Sequence, residues 1–438
     1  MLYFLDKVGL SISINLTEMG VNEMEFEPVI GLEVHAQLKT KSKIFAPEST
    51  EFGGSPNSHV SPICLGLPGV LPVLNKEVLE LAFKAAIALN CKLHPRSRFA
   101  RKNYFYPDLP KGYQISQFKD PIVGSGSIEI EIDGTKKAIG IERLHLEQDA
   151  GKSLHDQDPN LTFVDLNRSG IALMEIVSDP DMASPEEAVA YVKKVRSILR
   201  YLDTCDGNME QGSLRADINV SVRKKGESLG TRCELKNLNS FKHITSAINF
   251  EVARQIKIIE NGEEIKQETR LYDVSSDTTK SMRSKEDAHD YRYFPDPDLL
   301  PLNLDEKWIE KIKNELPELP DEKKDRFITQ YKISNYDAEV LTSDRQTSEY
   351  FEEVISNRNP KLVVSWVASE LFAALNKENL SIENSPVNSK QLGELIDEIE
   401  KGTISNRAAK EVFEEMCVSK KSVQEIINDK GLIQISDT

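Results

Sequence analysis

The sequence predicts an α+β fold, in which a mainly antiparallel β cradle domain with inserted helices is followed by an all-α helical region. Three observations predict this fold. Segments with alternating apolar and polar residues follow one another closely, without the regular strand–helix alternation of a parallel sheet. Two segments of helical periodicity interrupt them. After residue 303, helical periodicity dominates the remaining sequence.

The first predicted strand lies in residues 29 to 38, VIGLEVHAQL, where aliphatic side chains occupy every second position. Glu33 and His35 fall between them and share the polar face, because successive side chains of a strand point to opposite sides. On this strand alone, the pair is explained either as a solvated surface or as a ligand-binding or catalytic pair.

Residues 94 to 113, HPRSRFARKNYFYPDLPKGY, combine basic and aromatic side chains, among them Lys102, Tyr104 and Tyr106. Basic groups suit phosphate and aromatic rings suit stacked bases, although a solvated loop with a small aromatic cluster explains the composition equally well. The formal net charge of −16 excludes nucleic-acid binding through the overall field. Any nucleic-acid contact therefore requires a local basic patch such as this one.

Two helices are predicted within the strand-rich region. The first, NKEVLELAFKAAIALN, begins after the capping residue Asn75. The second, SPEEAVAYVKKVRSILRYLD, has Ser184 as its cap, Pro185 in the first position and Glu187 to complete a capping box.

Further strands are predicted at residues 127 to 132, 141 to 149 and 214 to 223. Their polar faces carry acids, imidazoles and guanidinium groups, and the face in RLHLEQD consists of Arg143, His145, Glu147 and Asp149. Several such faces in one region indicate the lining of a polar concavity, although separate solvated faces explain them as well.

The strand ALMEIV, residues 172 to 177, places Glu175 inside an otherwise apolar run. A buried carboxylate is costly unless it is paired or bound to a metal, so an edge strand with Glu175 in water is the alternative. If Glu175 faces inward, its natural companions are Glu33, His35 and Glu147. Three carboxylates and one imidazole suit Mg²⁺ or Mn²⁺.

The predicted organisation has an N-terminal extension at 1–25, the cradle domain at 26–303, a helical domain at 304–388 and a further module at 389–438. Five scattered cysteines without a CxxC pair indicate a reduced cytosol and no thiolate zinc site. No apolar run approaches the ~20 residues needed to cross a bilayer. Neither a P-loop motif nor GxGxxG occurs in the sequence.

The strands and loops described above belong to longer motifs, which are VIGLEVHAQL, RKNYFYPDLPKGYQISQF, RLHLEQDAGKS, VDLNRSG, LMEIVSDPD, MEQGSLRADINVSVR, ELKNLNSF, DYRYFPDPDLLPL, GTISNRAAKEVFEEM and KGLIQIS. These motifs closely resemble those of one family, the B subunits of the aspartyl/glutamyl-tRNA(Asn/Gln) amidotransferase, called the GatB family. The resemblance covers nearly everything from Phe26 to the C-terminus.

The resemblance implies a cytoplasmic ligase of protein biosynthesis that corrects misacylated tRNA. In this reaction ATP phosphorylates the side-chain carboxylate of Glu-tRNA(Gln), or of Asp-tRNA(Asn), and ammonia released from glutamine amidates it. The implied partners are a glutaminase (the A subunit) and a small protein (the C subunit) in a heterotrimer, together with misacylated tRNA and without a membrane. The implied cofactor is Mg²⁺, or Mn²⁺ in its place, with ATP as a substrate.

The resemblance also implies the roles of individual residues. The expected metal ligands are Glu33, His35, Glu147 and Glu175, which are also expected to be catalytic together with Lys102. The reacting end of the tRNA is expected near Lys102, Tyr104, Tyr106, Arg143, Asp149 and Lys152.

Some features depart from the family pattern. Gln148 and Gln211 stand where relatives commonly carry glutamate, and the cysteine cluster that holds zinc in some members is missing, so no zinc site is expected. The chain ends soon after KGLIQIS, which predicts that residues 389–438 are the start of a truncated tRNA-binding tail. The alternative function is a non-catalytic tRNA-binding scaffold of the same complex, and a stand-alone metal hydrolase is a third hypothesis.

Overall fold

The computed structural model describes residues 26–155, 157–284, 290–378, 380–419 and 421–434. The predicted N-terminal extension therefore lies outside the described residues. Within them, the strands lie before residue 304 and the secondary structure after it is helical, as the change in sequence periodicity predicts. No helix in the described ranges combines the length and apolar composition that a membrane crossing requires.

The strands in chain order are β1 (Phe26–Gln37), β2 (Arg96–Ser97), β3 (Ala100–Asn103), β4 (Tyr113–Ser116), β5 (Gly126–Ile132), β6 (Thr135–Gln148), β7 (Lys152–Leu154), β8 (Phe163–Asp165), β9 (Ala172–Ser178), β10 (Leu214–Lys224), β11 (Cys233–Lys236), β12 (Glu268–Asp273), β13 (Thr278–Ser284), β14 (Phe294–Pro295) and β15 (Leu302–Asn303). The helices are α1 (Pro62–Leu65), α2 (Lys76–Ala88), α3 (Pro185–Tyr201), α4 (Phe241–Glu260), α5 (Glu306–Asn314), α6 (Pro320–Tyr331), α7 (Asn335–Leu341), α8 (Arg345–Ile355), α9 (Pro360–Ser365), α10 (Phe372–Glu378), α11 (Ser389–Glu400), α12 (Asn406–Val418) and α13 (Val423–Lys430). A π-helical stretch, Trp366–Leu371, joins α9 to α10.

The largest sheet has eight strands in the order β13-β12-β11-β10-β1-β9-β6-β5. Its neighbouring strands are antiparallel except β11 and β12, which run parallel. The prediction of a mostly antiparallel sheet with inserted helices is therefore confirmed. The cradle shape and the arrangement of the helical modules stay predictions.

One face of this sheet is apolar and is covered by helices. The aliphatic side chains of β1, including Ile30, Leu32 and Val34, are fully buried in one large hydrophobic cluster with side chains of α2, α3 and α4. Each such side chain stabilises the fold by roughly 1.5–3 kcal/mol relative to exposure. Because alternate residues point the other way, this packing directs the polar side chains of β1 to the opposite face.

The predicted helix caps are largely confirmed. Asn75 accepts a hydrogen bond from the backbone N–H of Glu77, and Ser184 accepts one from that of Glu187. The Glu187 side chain, however, accepts from the N–H of Ala183 rather than from the capping residue itself. The predicted capping box is therefore displaced by one residue.

A second hydrophobic cluster lies in the C-terminal helices. It contains buried side chains from α6 to α13, with Phe327 and Ile427 at its two ends in the sequence. Val387, between α10 and α11, is fully buried in it, and side chains on both sides of the predicted boundary between residues 388 and 389 share this cluster. The predicted domain boundaries stay predictions.

Candidate functional site

The polar face of the large sheet brings acids and imidazoles into register. β9 lies between β1 and β6, so the alternative of an edge strand with Glu175 in water is wrong. Glu175 is only 7% exposed and lies opposite His35 on β1 and His145 on β6. The Nε2 atoms of both imidazoles lie 3.3 Å from Glu175 Oε2. One carboxylate oxygen is therefore shared by two imidazoles from two flanking strands.

This pairing changes the ionisation of all three groups. Burial would lower the pKa of His35 and of His145, but the neighbouring carboxylates, above all Glu175, raise each pKa to about 9. Burial would likewise raise the pKa of Glu175, but the two imidazoles hold it well below its usual range. The raised pKa values favour protonated His35 and His145 at neutral pH. Their positive charge lies beside Glu175, where the charge of a metal ion would also be balanced.

Glu147 extends the same cluster along β6. Its Oε2 lies 3.7 Å from His145 Nε2 and accepts a hydrogen bond from Ser116 Oγ at 3.2 Å. His35, Glu147 and Glu175 each offer one potential metal-ligand atom, a ring nitrogen or a carboxylate oxygen. These three atoms lie within 4.8 Å of one another, close enough for a single ion to contact all three. The structure therefore brings together three of the four predicted metal ligands.

Glu33 belongs to a neighbouring group. One of its donor atoms lies within 4.8 Å of those of Asp217 and Glu234, on β10 and β11. Burial and the negative charge of Glu175 raise the pKa of Glu33, so the two groups interact electrostatically. Residues two apart on a strand are about 6.6 Å apart along it, which places Glu33 one row away from His35. Its direct role as a ligand stays a prediction.

Lys236 neutralises this second group. Its ammonium contacts the carboxylate of Asp217 and lies 2.9 Å from Glu234 Oε1. Burial would lower the pKa of Lys236, but the two carboxylates raise it. Glu33 in turn accepts a hydrogen bond from Asn219 Nδ2 at 3.1 Å. The negative charge of this second group is therefore already partly balanced by the ammonium of Lys236.

A cavity of about 730 Å³ adjoins both groups. Its acidic and imidazole wall is built from Glu33, His35, Glu142, His145, Glu147, Glu175, Asp217 and Glu234, and Glu142 forms an ion pair with Arg143. The same cavity is lined by basic and aromatic residues, which are His94, Lys102, Phe118, Lys119, Arg143, Lys236, Tyr291 and Tyr293. Such a cavity suits a ligand that carries a carboxylate or phosphate beside an aromatic ring.

Lys102 projects from β3 into this cavity. Its Nζ lies 5.0 Å from the centre of the Tyr291 ring and 5.9 Å from that of Tyr104. Across the described part of the chain it forms no ion pair within 4 Å. Burial would lower the pKa of Lys102, but Glu147 and other nearby groups raise it, so the ammonium stays charged. A cation held by rings remains able to contact an anionic ligand.

Five aromatic rings form a continuous series along this wall, which we call the aromatic row. Phe118 stacks on Tyr293, Tyr293 contacts Tyr291, Tyr291 contacts Tyr104, and Tyr104 contacts Tyr106. The hydroxyl of Tyr104 also donates to Gln114 Oε1 at 3.0 Å. The row connects the cavity to the exposed ring of Tyr106, and Tyr104 and Tyr106 are its two members from residues 94–113.

The remaining predicted residues lie in different environments. Arg143 lines the cavity, whereas Lys152 is exposed on β7 and Asp149 is buried outside the lining. Asp149 accepts two hydrogen bonds from Arg215, at 3.0 and 3.1 Å. Burial would raise the pKa of Asp149, but Arg215 and Arg168 lower it. Contacts of Asp149 and Lys152 with the tRNA end stay predictions.

Several residues of the cavity were not assigned a role from the sequence. His145 was placed on the correct face, but its contact with Glu175 depends on the register of β6 and β9. Glu234 and Lys236 alternate with buried Cys233 and Leu235, a pattern that identifies a polar face in CELK. The unassigned aromatic residues lie within motifs quoted above and are Phe118, Tyr291 and Tyr293.

Comparisons with known proteins point to one family over most of the chain. A family model described as the GatB/GatE catalytic domain matches residues 28–310, and one described as the GatB domain matches residues 349–438. A protein of Granulibacter bethesdensis, named as the B subunit of aspartyl/glutamyl-tRNA(Asn/Gln) amidotransferase, is 58% identical over 94% of this chain and 86% of its own length. Proteins of the same name from Thermodesulfovibrio yellowstonii and Thioalkalivibrio sulfidiphilus are 57% and 58% identical, over 94% and 95% of this chain and 87% and 88% of their own lengths.

Proposed function

Because this chain belongs to the GatB family, the B subunits of aspartyl/glutamyl-tRNA(Asn/Gln) amidotransferases, we propose that its cavity is where the tRNA-bound amino acid is activated and amidated. The family reaction is transamidation of misacylated tRNA. In the proposed reaction, ATP phosphorylates the side-chain carboxylate of Glu-tRNA(Gln) or Asp-tRNA(Asn), and ammonia then displaces the phosphate.

One observation carries this proposal. Glu175, His35, His145 and Glu147 converge from three adjacent strands, and the cavity beside them also contains the ammonium of Lys102. Carboxylates and imidazoles arranged in this way can hold a divalent cation, while the ammonium can contact an anionic substrate. Both kinds of group are needed when two anions, ATP and a carboxylate, must approach each other.

The donor set fits a divalent cation. His35, Glu147 and Glu175 would hold it, with Glu33 close by in the next row of the sheet. Two carboxylates with water in the remaining positions suit Mg²⁺, and the imidazole makes Mn²⁺ equally acceptable. One ligand atom from each of these three residues lies within 4.8 Å of the others, which is compatible with a shared ion. When bound, the cation would offset charge on the ATP phosphates.

The residues of this chain would then act on the substrate. A carboxylate is a poor electrophile because its oxygen is a poor leaving group, and phosphorylation supplies phosphate as the leaving group. The ammonium of Lys102 would contact the carboxylate or the transferred phosphate and stabilise the negative charge there. Arg143, which lines the same cavity, would contact further phosphate oxygens.

Ammonia has to arrive as a neutral molecule, because ammonium has no lone pair with which to attack. We therefore propose a complex in which an amidase-type glutaminase, the A subunit, produces ammonia and a small protein, the C subunit, completes the heterotrimer. The complex would act on misacylated tRNA. A route closed to bulk water would prevent the loss and protonation of ammonia.

The test is reconstitution of the complex with its glutaminase and small subunits. Wild type and His35→Ala are assayed with Glu-tRNA(Gln) and with Asp-tRNA(Asn) for amide formation and for ATP consumption. We expect His35→Ala to lose roughly 10²–10³-fold in kcat, because a group that stabilises transition-state charge is lost. His155→Ala is the matched control, since His155 is exposed and lies outside the cavity lining.

The result also separates catalysis from scaffolding. A scaffold would retain transamidation in His35→Ala at the wild-type rate. A catalytic cavity would lose ATP-dependent activation while tRNA binding, measured by filter retention, stays within twofold of wild type. Glutamine hydrolysis by the isolated chain would contradict the proposed division of labour between the proteins of the complex.

A further inference from the structure

Phe118 is an exposed aromatic residue at the end of the aromatic row. Its ring lies parallel to that of Tyr293, with the ring centres 4.2 Å apart and the planes inclined by 7°. The side chain is nevertheless 49% exposed. Because Tyr293 covers one face of the ring, the exposed area lies on its other face and its edges. A flat apolar surface of one ring is therefore open beside a polar cavity.

Tyr293 gives this surface a fixed position. Its ring contacts Tyr291 at a steep angle, and the Tyr291 ring in turn lies under the ammonium of Lys102. Burial raises the pKa of Tyr293, with Lys102 opposing and Glu147 adding to the rise, so these charged groups lie near the phenol. The stacked pair of Phe118 and Tyr293 is thus connected through Tyr291 to the ammonium of Lys102.

The surroundings of Phe118 suit a ligand with a flat ring and a phosphate. Phe118, Lys119 and Arg143 line the same cavity. An aromatic platform with cations at its side is the arrangement by which proteins hold single bases and their phosphates. Leaving a phenyl ring half exposed is unfavourable, and covering it with a ligand removes that cost.

We propose that Phe118, supported from behind by Tyr293, is the platform on which the adenine ring of a substrate stacks. This inference rests on the proposed function, which brings adenosine to the cavity from two sources, ATP and the 3′-terminal nucleotide of tRNA. Both sources present the same purine face, and the geometry of the stacked pair accepts either. Phe118 would be a binding residue that orients the substrate, with no part in proton transfer.

The experiment compares Phe118→Leu with Phe118→Tyr in the reconstituted complex. Leucine keeps an apolar side chain and removes the ring, whereas tyrosine keeps the ring. Phe52→Leu is the matched control, because Phe52 is 73% exposed and does not line the cavity. The KM for ATP is measured at saturating Glu-tRNA(Gln), and the KM for Glu-tRNA(Gln) at saturating ATP. Size-exclusion chromatography of each complex reports whether it has assembled.

We expect Phe118→Leu to raise one KM by roughly 5- to 100-fold, the range for the loss of one base stacked on a ring. Phe118→Tyr and Phe52→Leu should stay within twofold of wild type. A rise in the KM for ATP identifies the adenine as that of ATP, and a rise in the KM for tRNA identifies the terminal adenosine.

Two results would contradict the proposed stacking role of Phe118. In one, neither KM changes in Phe118→Leu. In the other, Phe118→Tyr is impaired as strongly as Phe118→Leu, because the effect would then be one of shape and not of stacking. His35→Ala in the same preparations keeps the two proposals apart. If it loses kcat while Phe118→Leu is normal, only the platform fails; if it keeps kcat while Phe118→Leu shows a raised KM, only the catalytic assignment fails.

Discussion

Two groups of acids lie side by side on the polar face of one sheet and differ in what balances their charge. In the first group, Glu175 and Glu147 are paired with the imidazoles of His35 and His145. The second group consists of Glu33, Asp217 and Glu234, and the ammonium of Lys236 contacts the last two of these acids. Both groups lie on neighbouring strands of one sheet, so the clearest chemical difference between them is the group that balances their charge.

The ligand atoms of either group lie close enough together to share one ion, and the two groups differ in what a metal ion would have to replace. An imidazolium can release its proton and then donate a lone pair to a cation, whereas an ammonium has no lone pair to donate. The carboxylates around Lys236 raise its pKa and keep it charged. The second group is therefore already balanced by the ammonium of Lys236. The imidazoles of the first group can instead release protons when a metal ion binds.

The largest effect is expected for Glu175→Gln. The amide removes the charge that both imidazoles share, so the complex should lose roughly 10²–10³-fold in kcat. Stabilisation of the folded chain by Mg²⁺ or Mn²⁺, measured as a rise in Tm, should disappear as well. Glu129→Gln, at an exposed position of the same sheet, should change neither quantity. Wild-type kcat together with an unchanged response to the ion would contradict the role of this group.

Lys236→Met tests the second group and should have the next largest effect. Removal of the ammonium leaves three neighbouring acids without a balancing charge, which should lower the free energy of unfolding by about 2 kcal/mol. Added Mg²⁺ should restore part of this loss, because a cation can now take the place of the ammonium. Urea unfolding with and without Mg²⁺ measures both effects.

The control for this prediction is Lys280→Met, which removes an exposed partner of Asp273. Such a pair contributes at most about 1 kcal/mol, and its loss should not respond to Mg²⁺. If Lys236→Met unfolds like wild type, or gains nothing from the cation, the second group does not depend on its lysine as we describe.

Arg215→Lys should have a smaller effect on catalysis. Arg215 lies opposite His35 in the register of β1 and β10, and it binds Asp149 through two hydrogen bonds. Lysine cannot form this paired contact, so we expect about a tenfold loss in kcat with little change in KM. Arg223→Lys on the same strand, paired with Glu27, serves as the comparison. Equal behaviour of both variants would mean that the Arg215 contact does not position the cluster.

The smallest effect is expected far from the sheet, at Asp397. Hydrogen bonds from Arg358 are the main cause that lowers the pKa of Asp397 in the folded chain. A lowered pKa stabilises the fold at neutral pH, and the stabilisation is lost as pH falls below about 4. Asp397→Asn should therefore cost less than about 1 kcal/mol at pH 7, and this cost should shrink as pH falls below about 4, with normal transamidation. A loss at pH 7 that persists unchanged at pH 3 would show that charge is not its cause.

Much of the sheet was predictable from residue alternation. The strands containing Glu33, His35, Glu147 and Glu175 were predicted with their polar faces, and the apolar run around Glu175 correctly indicated a demand for partners. The neighbours of each acid on the adjacent strands were not predictable, because they depend on the register in which the strands pair. His145 was therefore not assigned to the site, and Glu33 was expected beside His35 and Glu175 although its acidic neighbours are on β10 and β11.

The sequence alone determined several of the longer strands and helices with their polar and apolar faces, because these depend on residue spacing along one element, and its long motifs determined the family. Only the tertiary structure decided which charges meet. The contacts of Glu175 with two imidazoles, of Lys236 with two acids and of Phe118 with Tyr293 join residues from different elements. Electrostatic and stacking interactions act over a few ångströms in space, so their partners are set by strand register and packing.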